Sequence, residues 1–409
     1  MHRLTRFRAL TALSLLGLVL SAGRLEAQAR PGTTARNTDR LAVVKSAVHV
    51  LDAADASLLE PPPDGASLVF GGRTRRLDRV AGGDVIVVGV TPSTPQGLLR
   101  RVVRVVESPS EVVFVTEPAT IEDVFWSVRA TERVRMFDVD VQRLIPMSEG
   151  VSISPRSTLS FSPGPIAVDL VDVVLYDMDG NPVTRDDQVT VTGSVGVTPT
   201  FDIDLDLKWG RVKKFSFTNT NDLFTKLELE GRVPVFGFDE NVTVATIQFA
   251  PITIPAGPVP LVFTPVLDIK VGVAGDVTAG LRTSVAASVP IAAGVVYENG
   301  RWRGFTDLPD SLDDITLTWE RPEFFVEAAV QVYAGPKFSF LLYGVAGPFA
   351  AAYGYAELAG EIFPDVGLAL FIGVRGQVGV EAKIPIIGVG VSYTHPVFNQ
   401  RWRVAGAPF

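Results

Sequence analysis

The 409 residues contain no cysteine. That excludes a disulfide framework, a thiolate metal site and a lipid-bearing cysteine at a processed N-terminus. Histidine is nearly as scarce, and only His49 and His395 lie beyond residue 29. Neither stands at metal-ligand spacing from another histidine or carboxylate, so no transition-metal centre is expected. There is no Gly-x-Ser-x-Gly elbow and no glycine-rich phosphate loop ahead of a helix, which leaves no recognisable catalytic motif. Coiled-coil heptads, repeats of fixed period and helices beyond about three turns are also missing from the pattern.

What is present begins with a three-part N-terminus. Arg3, Arg6 and Arg8 precede an apolar stretch from Ala9 to Ala22, and Ala27-Gln28-Ala29 follows. This is the order of a secretory signal peptide, with cleavage expected before Arg30. The apolar stretch falls short of the roughly 20 residues that span a bilayer as a helix. Export is therefore expected: secreted, at the cell surface or outer-membrane-associated, with the periplasm as a further compartment. Residues 30–40 are polar and hold Pro31 and Gly32, a flexible lead-in. With 47% hydrophobic and 20% charged residues the remainder is globular, and its length calls for two domains.

Residues 41–140 read as the first of these. Val43 to Leu51, Ser67 to Phe70, Asp84 to Val90, Leu98 to Val106 and Glu111 to Thr116 are short Val-rich strands separated by Gly, Pro or Ser. One short helix is expected over Pro118 to Phe125, capped by Thr120, with Glu122 and Asp123 in its first turn. The phrases Gly83-Asp84-Val85-Ile86, Thr91-Pro92-Ser93-Thr94-Pro95-Gln96-Gly97-Leu98-Leu99-Arg100 and Thr116-Glu117-Pro118-Ala119-Thr120-Ile121-Glu122 resemble an N-terminal module of large secreted bacterial surface proteins. The resemblance covers about residues 41–125 and implies a cell-surface setting, with no chemistry attached. On their own terms these phrases are turns: Gly83 suits a left-handed backbone, and Pro92 and Pro95 stiffen a connection.

From residue 146 to 409 the strands lengthen and alternate. In Thr200 to Lys208 the apolar residues share one face and Asp202, Asp204 and Asp206 the other. Leu267, Ile269, Val271 and Val273 repeat the pattern opposite Asp268 and Lys270, and Leu368 to Ile384 repeats it opposite Arg375, Gln377 and Glu381. Period two with one wet face predicts antiparallel sheet over a core. A span as long as the last bends through a glycine or holds a hairpin near Gly376. Asp179-Gly180-Asn181-Pro182 and Glu298-Asn299-Gly300-Arg301 read as hairpin turns. Prolines 251, 255, 258, 260 and 265 mark a corner or an edge. The expected fold is all-β and mainly antiparallel. A small barrel- or sandwich-like domain with one short helix precedes a larger elongated sandwich or barrel-like body.

Charge is uneven. Residues 30–145 hold equal numbers of acids and bases, whereas residues 146–409 carry an excess of about eleven acids. An acidic body argues against nucleic acid, and against anionic lipid surfaces, as partners. Arg73, Arg75, Arg76 and Arg79, with Arg100, Arg101 and Arg104, form either an anion patch or a solvated face. Asp177-Met178-Asp179-Gly180-Asn181 alternates acids as a calcium loop does but lacks the downstream bidentate Glu, so it reads first as a turn. Asp177 and Asp179 are the weak calcium candidates, and no other cofactor is expected. Asp202, Asp204 and Asp206 line a strand, where hard cations want convergent ligands. Glu323 and Glu327 are the one spacing that suits paired catalytic acids. Aromatic residues crowd the last third (Phe324, Phe325, Tyr333, Phe338, Phe340, Tyr343, Phe349, Tyr353, Tyr355, Phe363, Phe371), either as core or around an apolar pocket. The functional expectation is a non-enzymatic surface protein, structural or adhesive, with partner unassigned and other envelope or surface proteins, or an apolar ligand, as the candidates. A binder of lipids or other apolar ligands, an outer-membrane barrel and a secreted enzyme without a motif are the alternatives. Arg401, Arg403 and Pro408, in a final strand ending at Phe409, weigh against the barrel.

Overall fold

A computed structural model describes residues 42–60, 66–108, 110–137, 140–153, 165–181, 183–231, 235–277, 281–307, 316–320, 330–361, 367–382 and 393–408. In chain order the elements are β1 (Val43–Val44), β2 (Val48–Leu51), the single-turn helix α1 (Ala53–Ala56), β3 (Ser67–Phe70), β4 (Val85–Val88), β5 (Leu98–Glu107), β6 (Val112–Pro118), the single-turn helix α2 (Ile121–Val124), β7 (Phe125–Arg135), β8 (Val141–Pro146) and β9 (Val151–Ile153). Longer strands follow: β10 (Ile166–Asp177), β11 (Gln188–Lys208), β12 (Arg211–Gly231), β13 (Val235–Phe249), β14 (Ile252–Ala256), β15 (Val259–Val277) and β16 (Leu281–Glu298). The last are β17 (Arg301–Asp307), β18 (Thr316–Glu320), β19 (Val330–Leu342), β20 (Ala346–Glu361), β21 (Gly367–Ala382) and β22 (Tyr393–Pro408).

These strands make three sheets. The first runs β2-β4-β5-β6-β3, antiparallel except for the parallel pair β2 and β4. The second follows β1-β7-β11-β12-β16-β17, with β10 on β11, β9 on β10 and β18 on β16. The third runs β22-β21-β20-β19-β15-β13-β8, with β14 as a short edge strand on β15. The protein is all-β, mainly antiparallel and sandwich-like.

Alternation explains where the core lies. Phe201 and Phe217 from the second sheet meet Phe338 and Phe340 from the third, with ring centroids 5.2–5.9 Å apart, and Phe263 packs on Phe340 at 5.1 Å. On the opposite face of β11, Asp202, Asp204 and Asp206 pair with Arg133, Lys214 and Lys208. β4 reads Val-Ile-Val-Val without alternation because both faces are covered. Ile86 and Val88 point into a small core with Leu68, Phe70 and Phe114, while Val85 and Val87 join the large one.

Several local expectations change. A second helical turn, α1, is capped by Asp52, whose carboxylate accepts from the backbone N–H groups of Ala54 and Asp55. α2 has the expected Thr120 cap, completed as a capping box by Asp123. The alternating span at 367–382 is one strand with a register shift beside Gly376 and no hairpin there. Residues 188–208 form a single strand although Pro199 interrupts it. β10 pairs with β11 as far as Val197, and β7 takes over from Thr200, so Pro199 sits where the partner changes and its missing N–H breaks no ladder on that side. Residues 145–150, where the two expected domains would join, begin inside β8, which pairs with β13.

Candidate functional sites

The acidic turn between β10 and β11 gathers more carboxylates than its spacing announces. Asp177, Asp179 and Asp187 each bring an oxygen to within 4.8 Å of the others. Asp187 is missed by a local reading because it lies eight residues beyond Asp179. It is returned by the hairpin, in which Asp177 pairs with Gln188. The carboxylates are held by donors from the loop itself. Gly180 N–H donates to Asp177 Oδ1 (3.0 Å), Asn181 N–H to Asp179 Oδ1 (2.8 Å) and Asp179 N–H to Asp187 Oδ2 (3.1 Å). Thr184 Oγ1 also donates to Asp179, and Gln188 Nε2 to Asp177. The Asn181 N–H and the Thr184 hydroxyl hold the Asp179 carboxyl below its ordinary range. This geometry serves a turn, and it also places three hard oxygen ligands together.

Beside the hairpin lies a cleft of about 280 Å³ lined by Ser148, Glu149, Asp172, Arg185, Gln188 and Thr190. One wall is strained: Asp172 adopts φ +50 within a bulge, and its N–H donates to Thr192 Oγ1 (3.0 Å). Two carboxylates and one guanidinium make the lining suited to hydrogen-bonding a small polar group. Its residues form no nucleophile–base pair.

Other sequence candidates resolve individually. Most of the arginine cluster is engaged within the protein. Arg73 pairs with Asp78, Arg76 with Asp52 and Asp55, and Arg101 with Asp123, while Arg100 donates to Thr116. Asp52 is held below its ordinary range, first by the Asp55 N–H and then by Arg76. His49, isolated in sequence, is given a carboxylate by the fold: Nε2 lies 2.9 Å from Asp84 Oδ2, which also accepts from Ala81 N–H. Glu323 and Glu327 lie outside the described residues, as do Phe324, Phe325 and Phe363.

The aromatic third divides by face. Phe338 and Phe340 are core, whereas Tyr333, Tyr353 and Tyr355 form a separate buried cluster with Ala351 on the other side of the third sheet. Arg375 lies 3.9 Å from the Tyr333 ring centroid and 5.8 Å from that of Tyr353. A polar chain continues from it: Arg375 donates to Gln331, Gln331 to Glu357, and Glu357 pairs with Arg401, which stacks on Phe371. The face expected to be wet is half covered by its own cations. Alternation placed these residues together, but nothing in it foretold their burial.

No family model, curated protein or solved structure matches this chain. Assignment of any site therefore rests on geometry. By that measure the hairpin carboxylates and the adjacent cleft are the places where small-molecule chemistry is best provided for.

Proposed function

We propose that the chain is an exported β protein of the cell surface or envelope with a structural or adhesive role and no catalytic site. The observation that carries this reading is the filled space between the sheets among the described residues. The apolar gap between sheets lined by Ile121, Leu205, Phe215, Leu261, Phe263, Leu342 and Pro348 is about 10 Å³, hardly room for one water. A lipid carrier needs a volume many times that. Charged outward faces on β11 and β12 suit water on the far side of the sheet, the reverse of a lipid-facing barrel strand. The signal-type N-terminus and the surface-module resemblance support export.

The test has two arms. N-terminal sequencing of the exported chain is expected to read from Arg30, with the product recovered without detergent. Solvent extraction of the purified protein is expected to release no stoichiometric lipid, and a fluorescent fatty acid is expected to bind no more than it does to a lipid-free control. Stoichiometric lipid moves the assignment to an apolar-ligand binder. Recovery only from outer-membrane pellets moves it to a barrel.

A further inference from the structure

The hairpin joining β11 to β12 turns through Trp209 and Gly210, both left-handed at φ +57 and +68. Such a turn favours Asn, Asp or Gly at its first position and disfavours a bulky side chain. The same sheet supplies the contrast: the turn between β16 and β17 uses Asn299 and Gly300, at φ +54 and +77. Tyr343, another bulky left-handed residue, is buried and donates its hydroxyl to Pro260 O at 2.6 Å. Trp209 has no such compensation, because it is 84% exposed. A strained residue that gains so little from the folded state points to a role outside it.

Trp209 is not alone. Trp126, 53% exposed, lies beside it, with its carbonyl accepting from Gly210 N–H at 2.9 Å and Lys45 Nζ 4.8 Å from its ring centroid. Exposed Arg211, Lys213 and Lys208 surround the turn. Nearby acids are already engaged: Glu122 accepts from Val212 N–H, Asp206 pairs with Lys208, and Asp204 with Lys214. The acidic average of the chain hides a basic, indole-bearing end.

We propose that this end is a membrane-docking tip, in which Trp126 and Trp209 enter the interface of an anionic bilayer while Lys45, Arg211 and Lys213 meet its headgroups. Indoles favour the headgroup level of a bilayer, and basic residues are drawn to anionic leaflets. A carbohydrate platform is less well served, since the carboxylates that would receive sugar hydroxyls are bonded to the protein.

The test uses the chain without residues 1–29, whose compact unit begins at Asp39. Co-sedimentation with phosphatidylglycerol-containing vesicles at low salt is expected, with little on pure phosphatidylcholine and loss at high salt. Trp209→Asn places a favoured turn residue at the tip. It is expected to weaken vesicle binding roughly tenfold while raising the melting temperature by about a degree or two. Arg211→Glu with Lys213→Glu removes the preference for anionic vesicles. Absence of vesicle binding at low salt, or binding by Trp209→Asn equal to the parent, overturns the proposal. So does capture of dextran sulfate without vesicles, which would make the tip a polysaccharide site.

Discussion

Burial shifts three tyrosines of the third sheet and its neighbourhood in the same direction. Tyr343 and Tyr355 are pushed above the ordinary phenol range by desolvation, and Tyr353 is pushed up to about 12 by the same cause, against the opposing charge of Arg375. In the unfolded chain a tyrosine ionises near about 10. Below that value neither state loses the proton and the contribution to stability is whole. As the pH climbs from about 10 towards about 12, the unfolded state ionises first, so stability falls. Absorbance at 295 nm is expected to show a late titrating phase that coincides with unfolding. Tyr353→Phe should shallow the loss of denaturant midpoint over that interval, and an unchanged slope would count against burial as the cause. Close approach sets a second limit. A Cβ at Gly373 would overlap the Tyr355 ring, so Gly373→Ala is expected to destabilise by about 1–3 kcal/mol, read from chemical denaturation. Neither feature is visible in sequence. Alternation assigns Tyr353 and Gly373 to faces, but which outward face is covered depends on Arg375 and on neighbours from strands far along the chain.

At the level of elements, the turns were the most legible part. Asp179-Gly180 and Asn299-Gly300 announce themselves because a left-handed backbone selects few residues. Trp209-Gly210 does not, since tryptophan carries no turn signal. The β10–β11 turn raises the question of calcium, and its donors give an expectation. Asp177, Asp179 and Asp187 already accept from loop N–H groups, Thr184 and Gln188, so the turn is expected to hold without a cation. Melting curves with and without chelator should then coincide, and Asp179→Ala should lower the midpoint slightly and equally in both, as loss of a capping residue does. A midpoint that drops with chelator in the parent, and not in Asp179→Ala, would convert the loop to a calcium site. The strands across the core make the opposite kind of prediction. Phe340 touches Phe201, Phe217 and Phe263, and Phe340→Ala is expected to cost about 3–5 kcal/mol. A much smaller loss would mean that the interior is less filled than the proposed function requires.

For the whole molecule, the change in strand length and charge near residue 140 was readable, but a change of pattern is not a change of core. Residues 39–409 form one compact unit. β7, from the N-terminal side, pairs with β11 from Thr200 to Lys208, and β8 pairs with β13. Val85, Val87 and Leu99 of the first sheet belong to the same hydrophobic cluster as Phe201 and Phe340. Pairings of this separation leave little trace in local sequence, because each strand shows which face is apolar but not which strand it joins. They do predict how fragments behave. A chain of 146–409 loses β7 and β8, leaving the edges of β11 and β13 open and part of the large core uncovered. Open edges beside exposed apolar surface favour aggregation, so this fragment is expected to be insoluble alone. A 41–145 fragment keeps the small core around Phe70 and Phe114, together with β7 and nearly all of β8, and is expected to retain some order. Co-expression of the two should recover soluble 146–409, since β7 can add to the β11 edge and β8 to the β13 edge in trans. Soluble, cooperatively melting 146–409 in the absence of the other fragment would show the opposite: two separable domains that meet near residue 140, with β7 an accessory strand.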